Sequence, residues 1–249
     1  MKKIGGIATV KVREESLYET LDSLYKQLDL IHVYLNDYET ISERMQQKAS
    51  EYKNVNFHLA KDHAGDLGDA AKFYFIGRHK DALFYSLDDD LIYPANYASE
   101  HQRYLRHFNY NIATSFHGTM FYEFPLRGFY NPKNWCAGFH YLSNVQHFQF
   151  VQFGGTGVMC QVASKTGFSF DKLGEERNMA DVWHGIHCQK TYTPIAVIPH
   201  ADKYILHTSR IDAWSTGTIW GRNKEADKPS EVINKELTTL ILHTAIRNK

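Results

Sequence analysis

Apolar and polar positions fall into two regimes along this 249-residue chain. Up to about residue 115, short apolar runs alternate with stretches in which apolar residues recur every three or four positions. Ile4 to Val10, Leu30 to Leu35, Val55 to Leu59 and the run 81–87 read as strands, each short, apolar and bounded by polar residues. Between them, Glu14 to Gln27 carries Leu17, Leu21 and Leu24 on one helical stripe that Leu28 extends. Ser42 to Tyr52 reads as a polar helix, Asp69 to Gly77 as a short one, and Tyr97 to Phe108 as a fourth. Strand–helix repetition of this kind predicts a parallel sheet with right-handed crossovers.

The second regime is less regular. Asn111 to Ser115 predicts a further strand, and the aromatic-rich segment from Tyr122 to Asn144 predicts loops with short strands. His147 to Phe153 alternates and runs into Gly154-Gly155-Thr156-Gly157. Asn178 to Lys190 is helix-like, Pro194 to Ile198 a last core strand, and Glu231 to Arg247 an amphipathic helix. Residues 201–225, with Trp214, Trp220, Gly217 and Gly221, read either as a lid or as a surface loop whose tryptophans pack on the core. The division expected is one α/β domain over 1–225 and a C-terminal helix over 226–249.

Composition narrows the function classes. Lys plus Arg and Asp plus Glu are both 28, so no basic field draws in nucleic acid. Three cysteines without a CxxC argue against a disulfide framework and for a reducing compartment. No run approaches the roughly 18 apolar residues of a membrane span, and Met1-Lys2-Lys3 opens on a strand rather than a signal peptide. A cytoplasmic protein is expected.

The candidate chemistry centres on Asp88-Asp89-Asp90, which ends the apolar run Leu83-Phe84-Tyr85-Ser86-Leu87 and precedes Pro94. Three adjacent carboxylates repel one another and call for a cation. Oxygen ligands suit Mg²⁺ or Mn²⁺, usually shared with phosphate oxygens. The alternative is a solvated acidic loop, but the end of a core strand in an α/β sheet is where ligands bind. Gly65-Asp66-Leu67-Gly68-Asp69-Ala70-Ala71-Lys72 sets two acids and a lysine at a helix start, suited to a nucleoside and a phosphate. Alternatively, Asp69 is an N-cap and Lys72 lies in solvent. Gly155-Thr156-Gly157 predicts a tight turn that lets backbone approach a ligand. Asp181, His184 and His187 share roughly one helical face, yet a zinc site would want a further ligand. Asp181 fits better as a general base, its alternative being a helix-capping acid. Cys160 lacks a nearby His–Asp arrangement and reads as core.

In combination these stretches resemble a glycosyltransferase of the GT-A fold, similar to bacterial family 2 enzymes that build surface or capsular polysaccharide. The resemblance covers residues 4 to 220. It rests on Ala8-Thr9 and Arg13, Asn36, Asp66-x-x-Asp69-x-x-Lys72, the Asp triplet as a DxD motif, His117-Gly118, Gly155-Thr156-Gly157, and Asn178-Met179-Ala180-Asp181. Two positions depart from that family: Ala180 stands where an acid is common, and Asn36-Asp37 stands where tandem acids are usual. The resemblance implies a mostly parallel, Rossmann-like sheet flanked by helices. It also implies a metal-dependent inverting transfer from a nucleotide-diphosphate sugar, with UDP the favoured carrier, to a glycan or glycolipid hydroxyl. Asp88 and Asp90, joined by His207, would hold Mn²⁺ or Mg²⁺. Thr9, Arg13, Asn36, Asp66, Asp69, Lys72, Asp89, Gly155, Thr156 and Gly157 would line the donor site, and Asp181 would act as base. The chain would work at the inner face of the membrane, the C-terminal helix contacting membrane or another subunit. The rivals are a non-catalytic nucleotide-sugar or glycan-binding domain and a metal-dependent phosphohydrolase.

Overall fold

A computed structural model describes residues 1–176, 178–209 and 227–247, with side chains described up to residue 237 of the last helix. The region expected as a lid therefore lies, from residue 210 on, outside the described residues.

The first half follows the predicted alternation. Strands β1 (Lys3–Thr9), β2 (Leu30–Leu35), β3 (Val55–Leu59) and β4 (Leu83–Leu87) pair in parallel in the order β3-β2-β1-β4. Helices α1 (Glu14–Leu24) and α2 (Glu43–Tyr52) provide two of the crossovers, and Ser42 caps α2 by accepting from Met45 N at 3.2 Å. Leu17, Leu21 and Leu24 of α1 pack onto Ile31, Val33 and Leu35 of β2 and onto Leu83, Tyr85 and Leu87 of β4. Phe84 points to the opposite face and meets Ile4, Phe73 and Phe168. β4 is thus buried on both sides, which is why its sequence is continuously apolar rather than alternating.

One element differs in kind from its sequence signal. In place of an α-helix over Asp69–Gly77, two 3-10 turns form, Gly68–Phe73 and Ile76–His79. The tighter winding lets the first turn sit directly on β1. A Cβ at Gly6 would lie 2.0 Å from the Lys72 carbonyl oxygen, so only glycine admits that approach.

The sheet continues past β4 with mixed direction. β5 (Leu91–Ile92) leaves the main sheet, and α3 (Tyr97–His107) leads to β6 (Ala113–Ser115). A hairpin of β7 (Gly118–Phe121) and β8 (Trp135–Phe139) orders part of the weakly patterned aromatic segment. The alternating run after His147 divides between β9 (Gln149–Val151) on the main sheet and β10 (Phe153–Gly154) on the hairpin. β11 (Val158–Gln161) inserts antiparallel between β4 and β6. After α4 (Ala163–Thr166) and α5 (Ala180–Thr191), β12 (Ile195–Val197) pairs in parallel with β6. The full order is β3-β2-β1-β4-β11-β6-β12-β9. β13 (Leu206–His207) pairs with β5, and α6 (Lys228–Arg247) buries Ile233 and Leu237 against Val182 and Ile186 of α5. Among the described residues no helix is long and apolar enough to cross a membrane.

Candidate active site

The loops at the ends of β1, β4 and β11 converge with the start of α5. β4 delivers the Asp triplet, and its three carboxylates have three different surroundings. Asp88 is 40% exposed and receives the buried Lys72 ammonium on Oδ1. Asp89 is 3% exposed; its Oδ1 accepts from the Arg13 guanidinium at 2.9 Å, while its Oδ2 has no partner at hydrogen-bonding geometry among the described residues. Asp90 Oδ2 meets the same Arg13 nitrogen at 3.3 Å. Burial, followed by repulsion from Asp89 and Asp88, pushes Asp90 up to about 7. Burial likewise raises Asp89, although Arg13 and the adjacent Thr9 oppose it.

Lys72 answers the alternative that it lies in solvent: it is only 5% exposed. Burial alone would strip its charge, but Asp88, Asp69 and Asp181 outweigh that and hold its pKa above the ordinary lysine value. One cation is therefore shared among three carboxylates.

Asp181 sits in the first turn of α5 without capping it. Its Oδ1 accepts from Thr156 N at 2.7 Å and from the Thr156 hydroxyl, so the Gly155-Thr156-Gly157 turn grips the carboxylate. Burial raises its pKa, with Lys72 and Thr156 acting in opposition. A carboxylate so placed is a better proton acceptor than one in water. The capping role belongs to Asp69, from 111 residues away: its Oδ2 accepts from Ala180 N at 3.0 Å. Asp69 N in turn donates to Asn178 Oδ1 at 3.3 Å. Asp69 is thus placed as a clasp between the Gly68 turn and the helix that carries Asp181.

The expected nucleoside contacts divide in the same way. Asn36 uses both ends of its amide on the turn, accepting from Leu67 N and donating to Gly68 O, each at 3.0 Å. Asp66 is exposed and accepts from Gly68 N at 2.9 Å. Arg13 braces the triplet and Thr9 is buried beside it. Gly157 is required by the site, since a Cβ there would lie 1.8 Å from Asp88 Oδ2.

Other candidates separate. His207 pairs with Leu91 across β13 and β5, and Thr208 N donates to Asp90 O at 3.0 Å, so the late histidine stands beside the triplet's end. His200 faces carbonyl oxygens with both ring nitrogens, at 2.7 and 3.1 Å. His184 and His187 turn into the interior toward Gln161 and Thr166, away from the Thr156 contact of Asp181, which dissolves the zinc arrangement. Tyr93 is a participant that the sequence did not reveal. Its hydroxyl accepts from Asp88 N at 2.9 Å and donates to Gly157 O at 2.6 Å, tying β4 to the Thr156 turn. Its position five residues after Asp88 carried no motif.

The donor chemistry fits a hard divalent cation: Asp88 and Asp90 offer carboxylate oxygens, and Asp89 Oδ2 is a buried acceptor without a donor among the described residues. Among the described residues no group of three His, Cys, Asp or Glu side chains forms a ready-made cage. A cation there would complete its shell with oxygens from a ligand, as Mg²⁺ does with phosphates.

The sequence matches no protein-family model, and no curated protein is similar enough in sequence to match. Solved structures do share the fold. TarS 1–349 of S. aureus in complex with UDP aligns at a TM-score of 0.50 and 13% identity, over 81% of this chain and 59% of that one. The same protein without UDP gives 0.51 and 13%, over 86% and 62%. Its complex with UDP-GlcNAc gives 0.50 and 13%, over 80% and 57%. This chain thus spans about three fifths of those chains. The likeness shows the GT-A-like arrangement that the sequence motifs imply.

Proposed function

We propose that this protein transfers a sugar from a nucleotide-diphosphate donor, a UDP-sugar, to a hydroxyl of a glycan or glycolipid acceptor, with inversion at the anomeric carbon. The observation that carries this reading is the gathering of Lys72, Asp88 and Asp181 where β1 and β4 end and β11 begins. The UDP and UDP-GlcNAc complexes of a protein of the same fold support the donor class. Surface polysaccharide synthesis at the inner membrane face is the setting this reading suggests.

The roles follow from the geometry. The turn held by Asn36 would seat the nucleoside. Asp88 and Asp90, with His207 beside them, would hold Mn²⁺ or Mg²⁺. When bound, that ion supplies charge neutralisation for the departing diphosphate. Lys72 is positioned to add its charge to the same leaving group. Both bonds from Thr156 land on Asp181 Oδ1, so Oδ2 takes the acceptor proton as the new C–O bond forms. The anomeric C–O bond to phosphate breaks on the opposite face, and its electron pair leaves with the nucleoside diphosphate.

Calorimetry with UDP, GDP, CDP and TDP, each with and without Mn²⁺, tests the donor assignment. UDP should bind most tightly, and chelation should weaken it strongly. No binding of any nucleotide would overturn the reading. Nucleotide binding without transfer to any glycan would favour a binding module.

A further inference from the structure

We infer that the edge of the sheet at which β1 to β4 begin, opposite the candidate active site, docks on the surface of an anionic lipid bilayer. Lys2, Lys26, Lys53, Arg78, Lys80 and Lys165 form that surface. The inference stands independently of the transferase reading.

Strand direction puts these residues together. β1, β2, β3 and β4 are parallel, so all of them begin at one edge and end at the other. Lys53 precedes Asn54, whose carbonyl accepts from Ile31 N at 2.8 Å. The Asn54 side chain donates to Tyr25 O and Leu28 O, both at 2.7 Å, which brings Lys26 alongside. Lys2 O accepts from Leu83 N at 2.9 Å, where β4 starts. Lys80 O accepts from Ser164 N at 2.8 Å, which adds Lys165 after β11. The row thus crosses β3, β2, β1, β4 and β11, about 19 Å at ordinary strand spacing.

The charge on this edge is uncompensated. All six side chains are exposed. None makes an ion pair among the described residues, whereas Lys48 nearby meets Asp22 and Glu51 at 3.6 and 3.4 Å. Cations that follow a helix answer its dipole, which accounts for Lys26 after α1 and Lys53 after α2. It does not account for Lys2 and Lys80, which stand before strands. Two acids share the edge: Asp29, whose Oδ2 accepts from Lys3 N at 2.8 Å, and Asp81. Six cations against two acids leave it positive, while the Asp triplet and Asp181 occupy the other edge. A chain of zero formal net charge is therefore polarised along its strands.

The distribution selects the partner. Cations spread over neighbouring strands match a plane of negative charge better than one small anion. Within the row, Lys2, Arg78, His79 and Lys80 border a cavity of about 340 Å³, with Asp81 also in its lining. Burial lowers the His79 pKa, and Arg78 and Lys2 add to it, so both cations act at this recess. A lipid phosphate suits it. Single-stranded nucleic acid would add stacking on aromatic faces. Here the Arg78 guanidinium lies over Phe75 at 4.9 Å and the Lys26 ammonium over Tyr25 at 5.4 Å. Docking by this edge leaves the candidate active site facing the aqueous phase, from which a soluble donor arrives.

Sedimentation of the full chain with phosphatidylcholine vesicles, with and without phosphatidylglycerol, tests the surface. The wild-type protein should pellet only with the anionic vesicles, and at least ten-fold less when salt rises from about 0.05 to 0.5 M. Lys2→Gln with Lys80→Gln should weaken partitioning about 25-fold, roughly five-fold for each charge. Lys26→Gln with Lys53→Gln should do the same from the other end of the row, so the test survives if one pair fails to fold. Lys61→Gln with Lys203→Gln, past the far ends of β3 and β12, removes equal charge and should bind as the wild type does. Indifference of the wild-type protein to phosphatidylglycerol would overturn the inference. So would undiminished binding by the folded edge variants, an equal loss in the control pair, or tighter binding to a DNA oligonucleotide than to the vesicles.

Discussion

On the β1 and β2 side of β4, polar side chains are tied to one another across loops, whereas on the β11 and β6 side aromatic rings pack together beside the Thr156 turn. Arg13 braces Asp89 and Asp90, Asn36 closes the Leu67–Gly68 turn, and Asp69 reaches across to α5. Across β4, His117 Nδ1 has no hydrogen-bond partner among the described residues, and the His140 and Tyr141 rings pack on each other with centroids 4.2 Å apart. A network of hydrogen bonds between loops holds one geometry rigidly, which suits a ligand whose nucleotide part does not vary. The contrast is one of chemistry as well as order.

The sharpest way to break this contrast is to remove the cation at its centre. Lys72→Met leaves Asp88, Asp69 and Asp181 without compensation in a buried setting. It should destabilise the protein by roughly 3 kcal/mol, the low end for a broken buried pair because Asp88 is partly in solvent. Chemical denaturation of the variant measures it. Tyr141→Ala, on the other side, should shift the same midpoint far less, since no network depends on it. Equal losses would mean that the two sides are built alike.

Acid should sharpen the comparison from the outer edge of the network side. His32 Nδ1 lies 2.9 Å from His58 Nε2, and His32 Nε2 lies 2.9 Å from His79 Nε2, with Phe75 stacked against His32 and Arg78 beside them. Burial, followed by repulsion from neighbouring imidazoles and Arg78, pushes His32 down to about 3. Burial also pushes His58 down to about 4, with His63 and Arg78 adding to it. Both rings are then neutral in the folded protein near neutral pH, while in the unfolded chain they protonate around pH 6.5. Between those values the unfolded state binds more protons, so stability is present above pH 6.5 and lost as pH falls toward 4. The slope has an upper limit of about 1.4 kcal/mol per pH unit for each group. Thermal unfolding across that window should show the decline, and His32→Asn should make it shallower. An unchanged slope would place the acid sensitivity elsewhere.

The smallest of these effects concerns the tie between the two sides. Tyr93→Phe removes the hydroxyl that joins Asp88 N to Gly157 O and should cost about 1–3 kcal/mol. Because the Thr156 turn would loosen against β4, turnover should fall more than UDP affinity does. A variant in which both are unaltered would show that β4 and the turn are held together by other contacts.

How much of this was legible depends on what carries each feature. The parallel half was readable because its strands are buried on both faces and its helices on one, so burial imprints a period on the sequence. The Asp triplet was readable because like charges at a strand end have few explanations. Asp69 was harder: whether it caps its own turn or another helix depends on a contact 111 residues distant, which no local pattern encodes. The Asp69–Gly77 stretch had helical composition, yet its fit onto Gly6 selected 3-10 winding. Tyr93, His140 and Tyr141 had no spacing signal at all, and His117 was legible only through the family resemblance. They act through tertiary placement, and the segment holding His140 and Tyr141 lacks strong periodicity.

The central claim, that Asp181 is the base of a sugar transfer, is tested most directly by single-turnover transfer from a UDP-sugar by Asp181→Asn. Asparagine keeps the shape and can still face Thr156, but it cannot accept the acceptor proton. The account predicts that this variant binds UDP and unfolds nearly as the wild type does, while its transfer rate falls by about 10²–10⁴-fold. Transfer within a few-fold of wild type, with UDP binding intact, would contradict it.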